Sequence, residues 1–74
     1  MKILFFGRLA ESLGREVELA LPEPGCTVAE LRLRLGGAVA SPAVRACIDR
    51  AMVPETTRVL PHHEVAFVPP LSGG

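Results

Sequence analysis

Residues 27–37, TVAELRLRLGG, decide the fold, because the same letters support two structures. Leu31 to Leu35 alternate apolar and basic side chains, the period of two expected of a half-exposed strand. From Thr27 onward the same stretch has the marks of a helix. Thr27 is an N-cap with Glu30 three residues later, which is the capping-box form. Val28, Leu31 and Leu35 share a face at spacings of three and four, and Gly36-Gly37 supplies a stop. Cap, stripe and stop together predict a helix, while Leu33 lies off the stripe and keeps the strand as the alternative.

Short strand patterns surround this segment. KILFF, residues 2–6, is a nearly continuous apolar run ended by Gly7, which suits a central strand covered on both faces. GRLAESLG, 7–14, has glycine at both ends and predicts a loop with at most one helical turn. EVELAL, 16–21, sets Glu16, Glu18 and Ala20 against Val17, Leu19 and Leu21, the pattern of a second strand and hairpin partner. PEPG, 22–25, is a turn. ASPAV, 40–44, suggests a short helix with Ser41 capping and Pro42 in the first position. ACIDRAMV, 46–53, gives two short strands about Asp49-Arg50, a weaker hairpin signal than Asn-Gly or Asp-Gly. After an irregular PETTRVLPHH, EVAFV at 64–68 is the last strand, and Pro69-Pro70 ends it by removing two backbone donors. No repeat or second domain interrupts this order, so residues 1–68 are expected to form one domain and 69–74 a flexible tail.

One main helix can cover only one face of such a sheet. Strand alternation sets Ile3 and Phe5 against Leu4 and Phe6, and Val65 and Phe67 against Ala66 and Val68. Both sets are apolar, which predicts an uncovered hydrophobic patch. A chain of 74 residues has a thin stability margin, so a partner that hides apolar surface matters.

Eight basic residues balance eight acidic ones, which argues against a nucleic-acid binder or a membrane-surface protein. Cys26 and Cys47 have no CxxC spacing, and neither a signal-peptide pattern nor a long apolar span is present, so a reduced, cytoplasmic protein is expected. Both cysteines read as small buried hydrophobes; a disulfide in an exported domain is the alternative. Asp49, Glu55 and Glu64 are isolated carboxylates of separate elements, expected in solvent or turns. His62-His63 lack the spacing of helical metal ligands, and no phosphate-binding glycine pattern occurs. The domain offers no self-contained active site, bound metal or bound cofactor.

The remaining chemistry lies in the tail. Pro69, Pro70, Leu71, Ser72, Gly73 and Gly74 can extend roughly 18 Å at about 3.1 Å per residue. The two glycines carry no Cβ, so this end can thread a narrow channel. A terminal carboxylate becomes reactive once ATP adenylates it. Capture by sulfur then gives a thiocarboxylate, and capture by lysine gives an isopeptide-linked modifier.

KILFFGRLAE near one end and EVAFVPPLSGG at the other resemble the sulfur-carrying small subunit of molybdopterin synthase. The resemblance spans the chain, closely at both ends and loosely from Gly36 to His63. It implies an α+β, ubiquitin-like β-grasp fold, a mixed sheet with one main helix on one face. It also implies that Gly74 is adenylated by a ubiquitin-activating-like adenylyltransferase, which uses the ATP, and is then converted to the thiocarboxylate. The tail would enter the large synthase subunit and give sulfur to the cyclic pyranopterin precursor, two carriers serving each precursor in a heterotetramer. The implied partner interface is Phe6, Met52 and Val68. Pro61-His62-His63-Glu64 and Asp49-Arg50 depart from the family's usual turns, which leaves related carriers for thiamine or tRNA thiolation as alternatives. Phe67-Val68-Pro69-Pro70 argues against the thiamine carrier.

Overall fold

The structure is a computed structural model and describes residues 1–21, 25–41 and 43–69. The segment at 27–37 is helical. Thr27 (φ −79°, ψ 164°) caps helix α2, Val28–Leu35, accepting from the Glu30 amide at 3.2 Å, while the Glu30 carboxylate accepts from the Thr27 amide at 2.8 Å. Gly36 closes the helix at φ 64°, a left-handed conformation that glycine reaches without a steric penalty. Val28 and Leu31 are wholly buried and Leu33 is 79% exposed, which removes the strand alternative.

Strand β1, Lys2–Phe5, pairs antiparallel with β2, Glu16–Glu18, as the hairpin pattern predicts. Their connection contains helix α1, Arg8–Leu13, longer than the single turn expected, because Leu9 buries its side chain in the core and tertiary packing adds what local propensity lacks. Strands β3, Cys26–Thr27, and β6, Arg58–Val59, pair as a second two-stranded ribbon. Two residues carry too little periodicity to be recognised in a sequence. The expected helix around Ser41 is instead a 3₁₀ turn at Gly37–Ala40, followed by Ser41 Oγ accepting from the Ala43 amide at 3.3 Å; Pro42 lies outside the described residues.

Strands β4, Arg45–Ile48, and β5, Ala51–Met52, form the hairpin about Asp49-Arg50. Both turn residues take positive φ, 48° and 71°, as a two-residue hairpin requires. The turn is held from outside: Asp49 donates its amide to the Glu64 carbonyl at 2.8 Å, and its Oδ1 accepts from the Glu64 amide at 2.9 Å. Strand β7, Val65–Val68, lies between β1, to which it is parallel, and β4, to which it is antiparallel. The five-stranded order is β2-β1-β7-β4-β5, a mixed sheet with α2 over one face, the β-grasp arrangement.

Ile3, Phe5, Val65 and Phe67 point toward α2 and meet Val28, Leu31, Val39, Val44 and Val59 in one core. Arg32 is buried at its edge, 7% exposed. Its Nε and Nη2 donate to the two Glu55 carboxylate oxygens at 2.7 and 2.8 Å, and Nη1 donates to the Val39 and Ser41 carbonyls at 3.0 Å each. The guanidinium also lies 5.5 Å from the Phe67 ring centroid. Glu55 is therefore a structural ion-pair partner rather than the isolated carboxylate its sequence context suggested.

Hydrogen bonds from Thr27 hold the Glu30 carboxyl below its ordinary value of 4.5. A depressed carboxylate stabilises the fold above its unfolded-state pKa, and that contribution disappears as pH falls through the folded-state value. Urea unfolding should therefore show Glu30→Gln less stable than the parent at pH 7 and indistinguishable from it once the carboxyl is protonated. Thr27→Ala should cost about 1 kcal/mol at neutral pH. Glu55→Ala should cost about 2 kcal/mol by leaving a buried guanidinium partly unpaired; the loss stays below that of a fully buried pair because the Glu55 side chain is 49% exposed.

Candidate functional site

The sheet face opposite α2 carries the other half of the strand alternation. The register sets Leu4 beside Ala66, Ala66 beside Cys47 and Cys47 beside Met52, an apolar row across four strands, with Glu16 at the β2 end of the same row. One step along the strands, Phe6 follows β1, its amide donating to the Phe67 carbonyl at 3.2 Å, and Val68 lies opposite Arg45. Phe6 is 49% and Met52 63% exposed, while Leu4, Ala66, Cys47, Val68 and Pro69 are half-buried. Soluble domains seldom leave two large side chains on a contiguous apolar surface without a partner. Phe6, Met52 and Val68 thus share one face, Phe6 and Val68 near one end of the adjacent central strands and Met52 on the edge strand beyond β4.

Next to Phe6 a groove of about 450 Å³ is lined by Leu4, Phe5, Phe6, Gly7, Ala10, Arg15 and Glu16. Gly7, at φ 56°, turns the chain from β1 into α1 directly beneath Pro69. A Cβ at Gly7 would lie 2.9 Å from Pro69 Cγ, closer than side-chain carbons approach, so this position needs glycine for its backbone angle and for room. Pro69 thereby continues β7 over the end of β1. The predicted reactive and threading residues Pro70, Leu71, Ser72, Gly73 and Gly74 lie outside the described residues.

Other candidates are placed apart from this face or absorbed by the fold. Cys26 is buried, and burial together with the nearby Glu30 charge pushes its thiol up, which keeps it protonated and unreactive. Cys47 is the correction: it is free and half-buried on the outer face, not in the core, because it follows the inward Ala46. His63 Nδ1 accepts from the Leu60 amide at 2.9 Å and serves the turn, with His62 beside it at 4.5 Å between ring centroids. Among the described residues no cluster of three or more His, Cys, Asp or Glu side chains could hold a metal, and no helix is long and apolar enough to cross a membrane. The sequence had the outward parity of Leu4, Phe6, Ala66 and Val68. Cys47 was missed because its side depends on cross-strand register, which composition does not encode.

Residues 3–74 match the ThiS family. Among solved structures, SAMP1 from Haloferax volcanii superposes with a TM-score of 0.72 at 22% identity, covering 99% of this chain and 97% of that one. This is a likeness of fold, and it agrees with the ubiquitin-like β-grasp topology traced above. No curated protein matches the sequence.

The two faces should respond differently to truncation. Phe6→Ala, on the exposed face, should shift unfolding by about 0.5 kcal/mol. Phe67→Ala should cost about 4 kcal/mol, since Phe67 is wholly buried. Urea titration of both variants measures the contrast, and equal losses would contradict the assignment of Phe6 to the outer face.

Proposed function

The chain belongs to the ThiS family, and we propose that within it the chain is the sulfur-carrier subunit of molybdopterin synthase. The observation that carries this reading is the continuity of β7 with the tail: the strand that places Val68 on the exposed apolar face runs directly into Pro69 and the sequence PLSGG. A partner seated on Phe6, Val68 and Met52 would lie beside the root of the tail. The domain supplies the grip, and the main-chain carboxyl of Gly74 supplies the chemistry.

The reaction takes place on partners. A ubiquitin-activating-like adenylyltransferase joins the Gly74 carboxylate to the AMP part of ATP and releases pyrophosphate. Sulfide attacks the acyl carbon, AMP leaves, and a thiocarboxylate remains. In the large synthase subunit the sulfurs of two such carriers pass to the cyclic pyranopterin precursor to build the dithiolene, and hydrolysis returns each Gly74 to the carboxylate. ATP enters through the activating enzyme, and this chain contributes no bound cofactor. The closely spaced Pro69-Pro70 pair after Phe67-Val68 favours this pathway over a thiamine carrier.

The chain should gain the mass of sulfur minus oxygen when co-expressed with the activating enzyme of its own organism, read by intact mass spectrometry. Attachment to lysines of other proteins instead would identify a covalent modifier. Addition of one residue after Gly74 should abolish sulfur transfer and leave partner affinity within about twofold, because the docking face is untouched. Undiminished transfer by the extended chain would overturn the terminal-carboxyl chemistry.

A further inference from the structure

We propose that the end of the sheet from which Pro69 departs carries a basic collar, Arg8, Arg15 and Arg45, which selects a protein partner presenting carboxylates around an apolar centre. Arg45 lies opposite Val68 and, because the following Ala46 is buried, belongs to the outer face. Arg15 lines the groove beside Phe6, and its carbonyl accepts from the Phe5 amide at 2.8 Å, which fixes it level with the end of β1. Arg8 opens α1 two residues after Phe6. All three are exposed, and among the described residues none forms an ion pair.

Carboxylates near the collar do little to cancel it. Glu55 is held by Arg32 and Glu16 by Lys2 at 3.3 Å, which among the described residues leaves Glu11 of α1. At the opposite end of the sheet the signs are mixed: the Met1 ammonium meets Glu18 at 3.4 Å, and Asp49 and Glu64 stand near Arg50. A net charge of zero thus conceals a sorted distribution along the strands. An apolar patch gives affinity but little orientation, whereas complementary charge steers encounter and fixes which end meets which. This inference rests on the carrier function proposed above, because a partner that receives the tail must approach from the collar end.

The test is surface plasmon resonance of the full chain against the activating enzyme and the large synthase subunit of the same organism, at about 50 and about 500 mM salt. Arg45→Glu should weaken binding to at least one of them about tenfold at low salt, mainly through slower association, and less than about threefold at high salt. Arg45→Lys should stay close to the parent, and Glu64→Lys, at the far end, should not weaken binding. Unchanged unfolding midpoints would confirm that each variant folds. Affinity that ignores Arg45 overturns the collar alone; failure of the parent chain to bind either protein overturns the collar and the carrier function together. Sedimentation showing a dimer of the chain that Arg45→Glu dissolves would assign the charges to self-association and overturn the proposed partner.

Discussion

The Arg32 guanidinium ties four parts of the fold together at one point. It sits on α2, donates to carbonyls in the 3₁₀ turn and at Ser41, grips Glu55 in the loop after β5, and lies against the Phe67 ring of β7. A charged group at 7% exposure is tolerable only when its donors are met, and here four hydrogen bonds and an aromatic face meet them. The helix is eight residues long, too short to persist through propensity alone, so its position depends on this anchor and on Val28 and Leu31 in the core. Glu55 closes the arrangement further, since its carbonyl accepts from the Ala29 amide in the first turn of the same helix at 3.1 Å.

Because α2 is fixed over one face, the opposite face is left to something else. A 74-residue chain has one helix of sufficient length and uses it on the side of Ile3, Phe5, Val65 and Phe67. The strand alternation then delivers Leu4, Phe6, Ala66, Val68, Cys47 and Met52 to the other side, where no element among the described residues covers them. Exposure of Phe6 and Met52 is therefore a consequence of how few layers the chain can build, and a partner surface is the ordinary way such a face is retained.

Local signals were legible in the sequence, and long-range ones were not. The capping box of Thr27 and Glu30, the Gly36 stop and the parity of KILFF and EVAFV each depend on neighbours within a few residues, and each appears as read. The Arg32–Glu55 pair spans 23 positions, and arginine is rarely buried, so nothing local in LRLRL marks Arg32 as the one that faces the core. The β3–β6 ribbon and the inward turn of Leu9 that stabilises α1 likewise arise only once distant segments meet. Asp49-Arg50 lies between these cases: its residues are mediocre for positive φ, and the hydrogen-bonded clasp to Glu64 supplies the constraint that they lack.

The same geometry accounts for the placement of Pro69. β7 is pinned on both sides, by β1 in parallel and β4 in antiparallel, so its last residues cannot swing as an edge strand would. Gly7 then removes the one side chain that would collide with Pro69, and the proline crosses the end of β1 rather than turning away from it. Proline at 69 donates no ladder hydrogen bond, so the sheet ends at Val68. A central strand thus ends at a fixed exit, with Phe67 committing it to the core and Val68 committing its last residue to the outer apolar face.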